Sequence, residues 1–151
     1  METTKNIFIE LAGNKILLIT IYSWIIAQTI KVIMGVIKEK RFNFSWFLGT
    51  GGMPSSHAAG VTALASSVGL SFGFHSGIFA ITLIFTLIVL FDAQGMRRSM
   101  GKQAEILNKM LDDIYWKHLI QEDRLKELLG HAPIEVFAGM ALGIAVALLF
   151  W

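Results

Sequence analysis

The sequence contains no cysteine, which excludes disulfide bonds and thiolate metal sites. Charged residues are also scarce: they make up 16% of the chain, whereas a soluble domain usually carries about 25%. The formal net charge of +2 is too small to indicate a nucleic-acid partner. Residues 1–14 lack a basic start, an apolar run and a small-residue cleavage site, so we expect no cleaved signal peptide.

Apolar residues dominate instead, and they are concentrated in long blocks. Hydrophobic residues make up 54% of the 151 residues. This length fits one domain, and a helix of about 20 apolar residues is long enough to cross a bilayer. The sequence therefore predicts a single membrane-embedded, all-α domain over residues 1–151.

The apolar blocks predict about four transmembrane helices, with an extramembrane amphipathic helical excursion between spans three and four. The predicted spans cover residues 16–37, 54–73, 77–92 and 133–151. The second span is rich in Ala, Ser and Gly, which predicts packing among other helices rather than contact with lipid. In the amphipathic region, about 99–129, apolar residues recur at spacings of three and four. Its many charges place it outside the bilayer, either packed on the protein or lying at the membrane surface.

Alternating span directions bring most of the chemically capable residues to one membrane face. The end of the first span, the start of the second, the end of the third and the start of the fourth all lie there. These places carry Lys31, Lys38, Arg41, Ser55, Ser56, His57, Asp92, Arg97, Arg98, His131 and Glu135. The sequence therefore predicts one polar site at one bilayer surface.

The second span opens on Gly51-Gly52-Met53-Pro54-Ser55-Ser56-His57. Glycines allow a close backbone approach and unusual φ values, and proline is tolerated at a helix start. Free N–H groups and the positive end of the helix dipole form an anion site, where His57 is placed to exchange a proton. The alternative is a helix cap at a membrane boundary, with His57 merely interfacial.

Other polar residues suit the same anion. Lys31 lies within an apolar span, where an ionisable side chain is costly and indicates function, although snorkelling to the interface is the alternative. Arg97 and Arg98 suit phosphate oxygens or serve as topogenic charges. His131 and Glu135 are spaced i, i+4, so the carboxylate would hold one imidazole nitrogen and leave the other as a nucleophile. Their alternatives are a capping-loop histidine and a first-turn acid that compensates the helix dipole.

These residues resemble the motifs of the type-2 phosphatidate phosphatase superfamily, whose fold is shared with vanadium haloperoxidases. Its three motifs are KxxxxxxRP, PSGH and SRxxxxxHxxxD. Pro54-Ser55-Ser56-His57 is similar to the second, with serine for glycine, and residues 131–139 resemble the end of the third, with glutamate for aspartate. The Gly-Gly-Met-Pro-Ser-Ser-His and Asp-Ala-Gln-Gly-Met-Arg-Arg stretches resemble a divergent bacterial and plant branch, and that resemblance covers nearly the whole chain.

The resemblance implies a metal-independent phosphatase with no cofactor. His131 would attack phosphorus and form a phosphohistidine, Glu135 would orient it, and His57 would protonate the leaving group. Phosphate-binding roles fall to Lys31, Lys38, Arg41, Ser55, Ser56, Arg97 and Arg98, with Asp92, Gly51 and Gly52 in support.

The sequence departs from the superfamily pattern at several points. Lys38 stands where the first motif has Arg-Pro, and Arg41 is the nearest arginine. Leu125 stands where the third motif has its arginine, so Arg97 and Arg98 complete the phosphate site only if the amphipathic segment returns to it. The membrane-bound superfamily usually has six spans, so a chain with about four leaves room for a homodimer to complete the core.

The expected substrate is amphiphilic, because the site lies near the lipid headgroups between apolar helices. Lipid phosphates and polyprenyl phosphates or diphosphates fit this description. Ten of the thirteen Lys and Arg residues lie in the two loops that carry the motifs, which predicts a cytoplasmic site on a bacterial inner membrane. Two alternatives remain: a non-catalytic lipid-phosphate binder or carrier, and a metal site formed by His57, Asp92, His131 and Glu135.

Overall fold

The computed structural model describes residues 2–40, 52–115 and 133–151. Within these ranges the chain forms helices and no strand, which confirms the predicted all-α fold. The helices are α1 (Glu2–Gly13), α2 (Lys15–Glu39), α3 (Ser56–Phe72), α4 (Gly77–Tyr115) and α5 (Pro133–Phe150). By length and composition, α2 and α5 are able to cross a membrane, and Gly77–Ala93 within α4 is a shorter apolar stretch.

Local chemistry explains where the helices begin and end. Asn14 caps α2 and Ser55 caps α3, each accepting a hydrogen bond on its side-chain oxygen from the backbone N–H three residues later. After α2, Lys40 adopts a left-handed conformation with φ of 51° and donates its N–H to the Val36 carbonyl at 2.9 Å. Pro133 occupies the first position of α5, where its missing N–H costs nothing.

The central helix is α3, which packs against α2, α4 and α5. Its buried residues are all small or β-branched: Ser56, Ala58, Ala59, Gly60, Thr62, Ala63, Ala65, Ser67, Val68 and Gly69. Small side chains let helix backbones approach closely, which favours association within a bilayer. The prediction that the second span packs among other helices is confirmed.

Hydroxyl groups also connect α3 to its neighbours. Ser23 of α2 is fully buried, and its Oγ donates to the Ala59 carbonyl at 3.1 Å. Thr86 of α4 donates its Oγ1 to the Val61 carbonyl at 3.1 Å. These bonds give buried hydroxyls acceptors on the central helix and set the register of α2 and α4 against it.

Two glycines on α5, Gly139 and Gly143, face α3. A Cβ added at Gly139 would overlap the Ser55 carbonyl oxygen and lie 2.9 Å from the Ala58 Cβ. A Cβ at Gly143 would overlap the Ala59 carbonyl oxygen. The glycine pair therefore lets the α5 backbone lie directly against the first turns of α3, as small-xxx-small pairs do in membranes.

We expect Gly143→Ala to lower the free energy of unfolding by about 1–3 kcal/mol, because the added methyl group overpacks the α3–α5 contact. Thermal unfolding of the purified protein in detergent measures this loss. Gly77→Ala is the matched control, because a Cβ there has no neighbouring atom within 4 Å. Equal unfolding temperatures for the two variants would contradict the assigned packing.

The helix that carries the third apolar stretch is longer than that stretch. The sequence predicts a span over 77–92, and the apolar part of α4 is Gly77–Ala93. The helix then continues without a break to Tyr115, because charged residues do not end a helix and residues 92–115 contain no proline. Up to residue 115, the predicted amphipathic region is therefore a continuation of α4; its remainder, 116–129, lies outside the described residues.

Candidate active site

Lys31 turns from α2 towards the start of α3. Only 9% of the residue is exposed, although lysine is rarely buried without partners. Its Nζ donates to the Gln28 Oε1 at 3.1 Å and to the Ser56 Oγ at 3.4 Å. The snorkelling alternative requires a side chain that extends along the surface to the interface, whereas this ammonium is held inside the helix bundle.

The loop before α3 lies over the aliphatic stem of Lys31. Gly52 has φ of 86°, a left-handed value that favours glycine. A Cβ at this position would lie 3.2 Å from the Lys31 Cγ, tighter than most real contacts. Glycine therefore allows the loop to approach the lysine and cover its stem. Gly51, the other glycine of the pair, lies outside the described residues.

Ser55 joins the start of α3 to the start of α5. It is fully buried, and its Oγ accepts a hydrogen bond from the Ala58 N–H at 3.3 Å. Its own backbone N–H donates to the Glu135 carbonyl at 3.0 Å. The Ser55 hydroxyl thus caps α3, and its N–H holds the first turn of α5 against the Pro-Ser-Ser-His stretch.

The two residues after this cap face different surroundings. Ser56 is 3% exposed, and its hydroxyl accepts the Lys31 hydrogen bond. His57 is exposed, so its imidazole is accessible at the end of the bundle. The serine that replaces the glycine of the superfamily motif therefore has a structural partner, because its hydroxyl helps to hold the lysine.

Ala58, Leu90 and Val136 form a buried apolar cluster next to the site residues at this end of the bundle. It brings α4 alongside α3 and α5, within about a turn of Asp92. At the far end of the bundle, the Nζ of Lys15 lies 4.5 Å from the centroid of the Trp151 ring. Lys31 of α2, Leu90 of α4 and Val136 of α5 therefore all lie beside the first turn of α3.

The structure describes the other predicted site residues to different extents. Lys38 is exposed about two turns beyond Lys31, and Asp92 is exposed on α4. Arg97 and Arg98 belong to the continuous helix α4, about two turns beyond Leu90. Arg41 and His131 lie outside the described residues, so their predicted roles stay predictions.

The half-buried Glu135 lies at the first turn of α5. An acid there is favourable at the positive end of the helix dipole, and its backbone carbonyl accepts the Ser55 hydrogen bond. In the described ranges no group of three or more His, Asp or Glu side chains is arranged to hold a metal ion. The metal-site alternative depends on His131, which those ranges do not include.

Sequence reasoning missed Gln28, which is 5% exposed and bonded to Lys31. The sequence does contain a signal for it, because Gln28 is a polar residue in an apolar span and lies three positions before the ionisable Lys31. That spacing places both side chains on one helix face.

Comparison with known proteins agrees with this arrangement. A sequence profile described as "Divergent PAP2 family", a branch of the type-2 phosphatidate phosphatases, matches residues 12–146, which include every predicted site residue. The chain belongs to this divergent PAP2 family. The "Uncharacterized membrane protein YuiD" of Bacillus subtilis (strain 168) is 42% identical over 152 residues, covering 92% of this chain and 95% of YuiD. No solved structure matches the chain.

Family membership confirms the resemblance to the divergent branch and identifies the chain as an all-α membrane protein. Several residues that carry the resemblance lie together at the α3 start. Pro54 to His57 carry the second motif, and Glu135 belongs to the third. Lys31, from the first motif, is bonded to the second.

Proposed function

We propose that this divergent PAP2 protein is a membrane phosphatase that hydrolyses a lipid phosphate, or a polyprenyl phosphate or diphosphate, through a phosphohistidine without a metal ion. One observation carries the proposal: the buried Lys31 ammonium is bonded to Ser56, within the motif that also bears His57. The neighbouring Ser55 is bonded to the first turn of α5, which bears Glu135. Residues far apart in the chain thus form one site.

The start of α3 is suited to a phosphate group. First-turn N–H groups of a helix have no acceptor within it, and the helix dipole adds a partial positive charge. Lys31 adds a full positive charge at the same place. In phosphoryl transfer the charge is spread over the equatorial oxygens, so positive groups there stabilise the transition state.

In the proposed reaction, an imidazole nitrogen of His131 attacks phosphorus and the bond to the leaving oxygen breaks. His57 gives its proton to that oxygen. Water then attacks the phosphohistidine, gives a proton back to His57, and releases phosphate and free His131.

Exposed apolar side chains near the site support an amphiphilic substrate. Ile37 at the end of α2 is 72% exposed, and Ile134 and Phe137 at the start of α5 are 64% and 63% exposed. In a membrane these side chains would contact acyl or prenyl chains. A substrate with its phosphate at the α3 start would leave its tail in the lipid beside them. We assign this site to the cytoplasmic face, because ten of the thirteen Lys and Arg residues lie, in the sequence, between the first and second or between the third and fourth predicted spans.

Phosphate release from a panel of lipid phosphates tests the proposal. We expect the purified wild-type protein in detergent with EDTA to release phosphate, and His131→Ala to release only the background amount. Radiolabelled phosphate should remain on the wild-type protein as an acid-labile, base-stable adduct after rapid quenching. Complete loss of wild-type activity on chelation would contradict the metal-independent mechanism.

The second candidate is a lipid-phosphate binder or carrier that does not turn over. It is favoured by the position of the arginines. Leu125 stands where the superfamily has the arginine of the third motif, and Arg97 and Arg98 lie on α4 about two turns beyond Leu90. Without an arginine at the phosphate, binding could persist while turnover is lost. Tight headgroup binding without phosphate release, unaffected by His131→Ala, would support this candidate over the enzyme.

A further inference from the structure

We propose that Gln28 is a positioning residue that directs the Lys31 ammonium into the phosphate site through a neutral hydrogen-bond acceptor. The inference rests on the proposed role of this site in binding a phosphate group. It adds a residue outside the three superfamily motifs, on the first apolar helix.

The geometry ties Gln28 to Lys31 rather than to general packing. Gln28 is 5% exposed, and its Oε1 lies 3.1 Å from the Lys31 Nζ. The two residues share a helix face at i, i+3 spacing. Ser56 supplies a second oxygen at 3.4 Å, so the ammonium is directed from α2 to the first turn of α3.

The chemistry of an amide explains why glutamine suits this position. An apolar side chain would leave a buried ammonium proton without this acceptor, which is costly. A carboxylate would accept the bond, but it would cancel the positive charge and repel a phosphate. The neutral amide oxygen, like the neutral Ser56 hydroxyl, stabilises the ammonium without neutralising it.

A double-mutant cycle on inorganic phosphate binding tests the inference, measured by calorimetry on the full-length protein in detergent. We expect Gln28→Met to raise the Kd for phosphate about tenfold in the wild-type background, as expected for loss of one hydrogen bond to a charged group. In the Lys31→Met background the same change should have no further effect, because Gln28 acts through Lys31. A merely structural role would instead give equal losses in both backgrounds.

Two other variants keep the test decisive. Gln28→Glu retains an oxygen acceptor for Lys31, so it should fold, yet its affinity for phosphate should fall at least as far as that of Gln28→Met. Thr29→Val is the matched control on the next residue of the same helix, where the side chain is exposed and bonded only within the helix, to the Ile25 carbonyl. Thr29→Val should bind phosphate as the wild type does.

Three results would overturn the inference: wild-type affinity in Gln28→Glu, equal tenfold losses in both backgrounds, or the absence of phosphate binding by the wild type. The binding cycle is independent of turnover. If it behaves as expected and no lipid phosphate is hydrolysed, the enzyme proposal fails while the role of Gln28 stands. If hydrolysis occurs and the cycle is additive, only the role of Gln28 is lost.

Discussion

Replacing His57 with alanine is expected to slow phosphate release by about 10²–10⁴-fold, the usual contribution of a general acid. The imidazole follows directly on Ser56, which binds Lys31, and it is exposed where a substrate would enter. Without it, the leaving alkoxide of a lipid alcohol would depart unprotonated. The measurement is steady-state phosphate release at saturating substrate.

Comparing substrates with different leaving groups shows whether His57 donates a proton or only shapes the site. An aryl phosphate leaves as a weakly basic phenolate and needs little protonation, so His57→Ala should slow release of the phenol in the first turnover much less than release of the alcohol from an alkyl phosphate; the later hydrolysis of the phosphohistidine is common to both substrates. The matched control is His75→Ala, an exposed histidine just after the opposite end of α3, which should keep wild-type rates. A loss of equal size on both substrates would rule out the acid role.

Replacing Lys31 with methionine is expected to lower kcat/KM by about 10–150-fold, because a charge-assisted bond to the phosphate is worth about 1.5–3 kcal/mol. Stability should respond differently. Lys31→Met removes the cost of burying an ammonium but leaves the Gln28 Oε1 and the Ser56 Oγ without this donor, and these two effects oppose each other. Lys31→Met should therefore unfold within a few degrees of the wild type while its activity falls.

The combination of lost activity and retained stability distinguishes a substrate ligand from a structural cation. Lys15→Met is the control on the same helix, since Lys15 lies against the Trp151 ring at the other end of the bundle. We expect it to keep wild-type activity. Parallel losses of activity and unfolding temperature in Lys31→Met would mean that Lys31 mainly holds α2 to α3.

The helices could be predicted from the sequence because helix formation and burial depend largely on the properties of nearby residues. Apolar blocks predicted the all-α membrane fold, and the Ala, Ser and Gly content of residues 54–73 predicted that this helix packs inside. Hydropathy placed the end of the third apolar stretch at Asp92, close to its end at Ala93, but it did not show that one helix carries both this stretch and the charged residues after it, because hydropathy does not report where backbone hydrogen bonding ends. The helix continued through the charges to Tyr115.

The sequence identified most of the candidate site residues, but it did not show which of them contact each other. Lys31 stood out as an ionisable residue in an apolar span, and the Pro-Ser-Ser-His stretch stood out as an anion site. Gln28 did not stand out, because a single buried amide gains meaning only from the ammonium beside it.

By itself, the sequence determined the helical membrane character of this protein, the grouping of its polar residues near the same ends of its apolar blocks, and its similarity to a phosphatase superfamily. Only the tertiary structure decided that Lys31 reaches Ser56, that Ser55 is bonded to Glu135, and that Gly139 and Gly143 seat α5 against α3. The physical reason is the distance along the chain over which each effect acts. Hydropathy and capping act between near neighbours in the chain, whereas these contacts arise from the way small residues on α3 let three other helices pack around it.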